Sequence, residues 1–164
     1  MGRILETRGE IEQWNIFISI PEQGDDNMLN EELIDTLVRS AMDAIRNAYV
    51  PYSGVGIGAC VMASDGTIYT GCTIENAIRN LSIGAGEVAM YKAVSDGKRE
   101  FDAIAFICNT ERPFVPNGAI CQLLAEFNVP EVVMADMNGD AQVLSLTDLL
   151  PYGSEPLDNH MVKE

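Results

Sequence analysis

Apolar residues recur along this chain in two rhythms, one of three to four residues and one of two, and the switches between them outline the elements. Ile34, Leu37, Val38, Ala41 and Ile45 repeat at helical spacing, and Asn30 stands where an N-cap belongs. A helix is therefore expected from there through about Ala48, where "VPYSG" ends it. "VGIGACVMA" (55–63) and "TIYTGCTI" (67–74) read as strands joined by "SDG", a hairpin signal. "ENAIRNLSI" reads as a loop. A helix over about 84–97 stops at Gly97, and a second, at 117–127, follows a loop holding Pro113 and Pro116. "AIAFICN" (103–109) and "EVVMAD" (131–136) are continuous apolar runs, the pattern of strands buried on both faces. "NGD" reads as a turn, "AQVLSL" as a last short strand and "TDLLPYGSEPLD" as a short helix with a tail. Ahead of all these, "WNIFISI" (14–20) alternates like a short strand until "PEQGDDN" breaks it.

The order from residue 30 onward is α-β-β-α-β-α-β-β. Helices between strands imply parallel neighbours, while the hairpin implies an antiparallel pair. The expected architecture is an α/β fold in three layers, with helices on both faces of a mixed five-stranded sheet. The division expected is an N-terminal extension, 1–29, followed by one domain, 30–164.

A chain of 164 residues can bury a substantial core. Acidic residues outnumber basic ones 25 to 10, giving a formal charge of −15. Such a field repels phosphate backbones and anionic membranes, so neither nucleic acid nor a membrane is an expected partner. No apolar run reaches the roughly 20 residues of a membrane span, and "MGRILETRGEIEQW" has no secretory pattern. Cys60, Cys72, Cys108 and Cys121 are dispersed, which suits a reduced cytoplasm. The one histidine, His160, lies in a polar tail, so a Ser-His-Asp or Cys-His mechanism is not expected.

Five blocks carry a resemblance: "AYVPYSGVGIGACV", "DGTIYTGCTIENA", "AMYKAVSDGKREFDAIAF", "P-GA--Q-LAEF" (116–127, dashes at the positions that do not match) and "DLLP". In this order and at this spacing, the chain resembles the small cytidine deaminases over roughly 32–158. The resemblance implies a cytidine-deaminase-like fold, a homo-oligomer (dimer or tetramer), and a chemistry in which three protein ligands hold Zn²⁺. The bound hydroxide attacks C4 of cytosine while a non-ligand Glu moves protons. The family motifs are C-x-E and P-C-x-x-C, each at a helix start. Matched without gaps, the ligand positions carry Gly84, Asn117 and Ile120, and the proton-shuttle position carries Gly86. Glu87 and Cys121 each lie one residue beyond a missing group. A one-residue step turns a side chain by about 100°, so neither is a simple replacement. The family's aromatic positions around the base read Val55 and Ser154, and its sugar-gripping Asn and Glu read Thr73 and Glu75.

Several expectations follow. No cofactor and no metal is expected. The two helix starts would leave bare N–H groups facing a shared cavity, suited to a small polar or anionic ligand. Ligand-binding candidates are Thr73, Glu75, Ala85, Gly86, Asn117 and Gly118. Glu87 and Cys121 are weaker candidates for acid and nucleophile; helix-end stabilisation and core packing are the plainer roles for them. Glu75 serves either a ligand or an internal bond holding its turn. The leading expectation is a non-deaminating binder of a nucleoside-like or anionic small molecule, or an oligomer partner. The alternative is a metal-independent enzyme acting on a nucleoside-like metabolite, and zinc-dependent deamination of cytidine ranks last.

Overall fold

The structure, a computed structural model, describes residues 17–19, 29–110 and 112–154. The elements in chain order are β1 (Phe17–Ser19), α1 (Glu31–Ile45), β2 (Ile57–Ala63), β3 (Ile68–Cys72), α2 (Ala85–Ser95), β4 (Phe101–Cys108), α3 (Gly118–Glu126), β5 (Glu131–Ala135), β6 (Asp140–Ser145) and α4 (Leu146–Leu149). Asn30 caps α1 as its position suggests, its side-chain oxygen accepting from Leu33 N–H at 2.8 Å. The 75–83 segment is not wholly irregular: Arg79–Leu81 form one 3-10 turn.

The strands lie in the order β1-β6-β5-β4-β2-β3. β2 pairs antiparallel with β3 and with β4, β5 pairs antiparallel with β6, and β4 and β5 run parallel around the α3 crossover. The expected five-stranded mixed sheet is thus present. β1 extends it, pairing parallel with β6 through Phe17↔Asp140 and Ser19↔Gln142.

Although "AIAFIC" is apolar throughout, β4 still sorts its side chains by the two-residue period of a strand. Ile104 and Phe106 join Val61, Val132 and Met134 beneath α2 and α3. Ala103, Ala105 and Ile107 join Cys60, Met62 and Val133 beneath α1, against Ile34, Leu37, Val38 and Ala41. Helices therefore cover both faces, and β4 is dry on each. Complete burial of each Ile, Leu or Phe contributes about 1.5–3 kcal/mol. The β5–β6 turn is tied by Asp136, only 1% exposed, whose Oδ1 accepts from Asn138 N–H (2.8 Å) and Asp140 N–H (3.0 Å). On the α2/α3 face, both helices start over Phe106, and this brings the candidate residues together.

Candidate functional site

The end of β3 and its following loop form one wall. Thr73 accepts from Tyr49 N–H through its carbonyl (3.0 Å) and donates its own N–H to Ile57 (3.0 Å). Ile74 and Ile83 then exchange backbone bonds of 3.0 and 2.9 Å as an antiparallel bridge. One residue outward, that register sets Thr73 opposite Gly84. The Thr73 hydroxyl is shielded from solvent and has no hydrogen-bond partner. Glu75 turns the other way. Its Oε2 accepts from Tyr52 N–H (2.8 Å) and Ser53 N–H (3.2 Å), closing the 51–54 turn. The Ser53 hydroxyl and these N–H groups hold the Glu75 carboxyl below the ordinary range. The internal-bond role of Glu75 is therefore visible, although the turn it ties is that of 51–54 rather than its own.

The opposite wall is the start of α2. Gly84 takes the N-cap position without a side chain to cap with. The Glu87 carboxylate folds back over it, so closely that a methyl at 84 would overlap Oε2 and lie 3.1 Å from Cδ. Glu87 Oε2 is shielded and has no hydrogen-bond partner. Gly86 faces inward. A methyl there would lie 2.7 Å from Phe106 Cε1, 2.9 Å from Cζ and 3.3 Å from Ile120 Cγ2. Phe106 is fully buried and its ring leans on Phe114, with 5.5 Å between centroids. Ala85, 1% exposed, is a core residue.

At the start of α3, Asn117 is an N-cap. Its Oδ1 accepts from Ala119 N–H (3.0 Å) and Ile120 N–H (3.1 Å). Gly118 faces open space, and Ile120 is packed into the core. Cys121 is 1% exposed, and burial raises its thiol pKa. That shift opposes the thiolate expected of a nucleophile at a helix start.

These contacts revise the expected anion site between the two helices. The chain itself supplies a carboxylate at the start of α2 and an amide oxygen at the start of α3. Phe106 and Ile120 fill the volume beside Gly86. Beside Gly86 the expected open space is occupied by packed apolar side chains, whereas Gly118 still faces open space. Phe106 is the residue that sequence reasoning missed. The available signal was the only aromatic in "AIAFICN", complemented by a glycine elsewhere. His160 lies outside the described residues.

The three-layer α/β domain, with two helix starts meeting over a central strand, is the architecture that the sequence resemblance implies. Residues 15–112 match the family described as the cytidine and deoxycytidylate deaminase zinc-binding region. The chain belongs to the cytidine deaminase family. A cytidine deaminase of Sporosarcina psychrophila is 41% identical over 121 residues, which span 72% of this chain and 88% of that one. One of Halalkalibacterium halodurans is 38% identical over 117 residues, 70% of this chain and 89% of its own. The crystal structure of a cytidine deaminase from Burkholderia pseudomallei superposes with a TM-score of 0.71 at 37% identity, covering 77% of this chain and all (100%) of that one.

These relationships correct the functional ranking. The non-deaminating binder was the leading expectation, the metal-independent enzyme the alternative, and deamination was placed last. Relatives at this identity, matched over nearly their full length, carry the deaminase name. The match also runs through the family's zinc-binding region. Four substituted positions weighed more in the sequence reading than the rest of the chain, and kinship reverses that order.

Proposed function

We propose that this chain acts on cytidine or a close pyrimidine nucleoside, and that its reaction is deamination at C4, with water consumed and ammonia released. The observation that carries this reading is the 41% identity to a named cytidine deaminase across 88% of that protein. In the chain's own residues, support comes from the wall formed by Thr73 and Glu75. The Thr73 hydroxyl has unused hydrogen-bonding capacity, and Glu75 fixes the neighbouring turn. A hydroxyl with spare capacity suits a hydroxyl of a sugar, while Glu75 Oε2 is engaged by the Tyr52 and Ser53 N–H groups. Asn117 and Gly118, exposed at the start of α3, are the candidates to face the base; Gly86 is packed against Phe106, and Ala85 contributes main chain only.

Zinc in this family supplies a water activated near neutral pH. Residues 84, 86, 117 and 120 do not fit that ion. Gly84 and Gly86 have no side chain and Ile120 has no donor atom, while the Asn117 oxygen already accepts two backbone bonds. Among the described residues no group of three or more His, Cys, Asp or Glu is placed to hold a metal. No step of the reaction is therefore assigned to these four residues.

The test is direct. Purified protein is incubated with cytidine, uridine and ammonia are quantified, and zinc content is measured on the same sample. Uridine formation above a heat-inactivated control supports the reading. Folded protein that yields no uridine overturns it. We also propose a cytoplasmic homo-oligomer, dimer or tetramer, in keeping with four free cysteines. No described helix is long and apolar enough to cross a membrane. A monomer mass by light scattering would refute the oligomer.

A further inference from the structure

Most of the large apolar side chains that stand in water, among the described residues, gather on two segments, 49–55 and 74–83. Tyr49, Tyr52, Ile74, Ile78 and Leu81 are between 41% and 64% exposed. The backbone ties these segments side by side. Tyr49 N–H donates to the Thr73 carbonyl (3.0 Å), Glu75 N–H donates to the Tyr49 carbonyl (2.7 Å), and Tyr49 and Ile74 form a parallel bridge. Ile78 and Leu81 stand three residues apart on the 3-10 turn, a spacing that places side chains one above the other. Side chains then fix both segments from behind. Asn109 Nδ2 donates to the Gly54 carbonyl (3.1 Å) while its Oδ1 accepts from Gly56 N–H (3.0 Å). The Ser82 hydroxyl accepts from Asn76 N–H (2.9 Å), and Asn76 Oδ1 accepts from Ile78 N–H (2.9 Å). The result is an apolar ledge already held in shape, which leaves little ordering for a partner to impose.

Area and charge say what covers it. At roughly 200 Å² for a whole Tyr, Leu or Ile, the five residues present on the order of 500 Å² of mostly apolar surface. A stable dimer buries about 800 Å² on each partner, about 65% of it apolar, so the ledge supplies the apolar share of one such interface. The chain carries a formal charge of −15, yet segments 49–55 and 74–83 hold one acid, Glu75, and one base, Arg79. Glu75 is engaged by the Tyr52 and Ser53 N–H groups, and Arg79 is exposed and in no ion pair among the described residues. A basic partner would be drawn to the acidic surface elsewhere. A second copy of this chain is repelled there and admitted at the ledge.

We propose that this ledge is where a second copy of the chain docks, ledge against ledge about a two-fold axis, the isologous arrangement of most dimers. This rests on the homo-oligomer reading above and assigns it a surface.

Sedimentation velocity of the full chain tests this, using wild type, Ile78→Asp and Leu81→Asp. Both side chains are exposed, so their replacement leaves the core intact. Wild type should associate, and each variant should weaken the association by roughly 100-fold or more, because a carboxylate would be driven into an apolar contact. Amide hydrogen exchange on wild type needs no variant and covers the case in which either folds poorly. Protection of 49–55 and 74–83 should rise with protein concentration. Unchanged association in both folded variants overturns the ledge as the docking surface while leaving the oligomer standing. Protection that rises with concentration elsewhere but not in these two segments does the same. A monomeric wild type overturns both.

Discussion

Replacing Gly86 by alanine adds one methyl to a tightly packed point between α2, α3 and β4. That methyl would lie 2.7 and 2.9 Å from the edge of the Phe106 ring and 3.3 Å from Ile120 Cγ2. Phe106 is fully buried on β4 and braced by Phe114, so its ring has no open direction in which to move. Overpacking of this kind costs about 1–3 kcal/mol. An opposing term exists, because alanine in place of glycine favours a helix by up to about 0.5–1 kcal/mol, less at the second residue of α2 than in its interior. The net effect should be destabilising by roughly 1–2 kcal/mol. In a chain of this size that lowers Tm by about 2–8 °C. The decisive measurement is a double-mutant cycle with Phe106→Leu, read by urea unfolding. Shortening the ring gives the methyl its space, so the double variant should be more stable than the two single changes predict, by about 0.5–3 kcal/mol. Additivity within about 0.5 kcal/mol would refute the claim that Phe106 fills this volume, as would a stabilising Gly86→Ala.

Further outcomes can be checked separately. Asn117→Ala should cost about 0.5–2 kcal/mol in thermal or urea unfolding by leaving two N–H groups of α3 without their cap, and Asn117→Ser should recover most of it. Because the folded-state pKa of Glu75 is depressed, its tie to the 51–54 turn is complete above its unfolded pKa and is lost as pH falls through the folded value. NMR shifts of the Tyr52 and Ser53 amides should therefore titrate with a midpoint below 4.5, the ordinary value, and stop titrating in Glu75→Gln; a midpoint at or above 4.5 contradicts this. Burial pushes the Cys60 thiol up to about 12, and Cys108 and Cys121 are also buried. Native alkylation followed by mass spectrometry should label half-buried Cys72 first, and early labelling of Cys60 would contradict its placement.

The elements were legible because their signals are local. The α1 stripe, the Asn30 cap, the SDG hairpin and the apolar runs of β4 and β5 each lie within a window of a few residues. The segment 14–20 also looked like a strand, but nothing local could say that its partner was β6, at the far end of the chain. The candidate site was less readable for the same reason. Thr73 and Glu75 could be picked out from "TIENA", yet their opposite orientations follow from the bridge between Ile74 and Ile83. The glycines at 84 and 86 read as openings in the sequence. Each turned out to be room for another residue, Glu87 over the first and Phe106 against the second. Glu87 over Gly84 is a local contact at N-cap-to-N3 spacing, whereas Phe106 against Gly86 is a tertiary fact that no spacing rule encodes.

The pairing of β1 with β6 also orders events during synthesis. β1 leaves the ribosome before every other described strand, and the strand it joins is the last of them. With the chain growing at about 5–20 residues per second, β1 waits several seconds for a partner while the central strands are being made. Until it docks, the outer backbone groups of β6 form an exposed edge, the kind of template on which nascent chains pair with each other instead of with themselves. Deleting residues 1–29 should therefore show up in yield and solubility during expression sooner than in the properties of the protein that does fold.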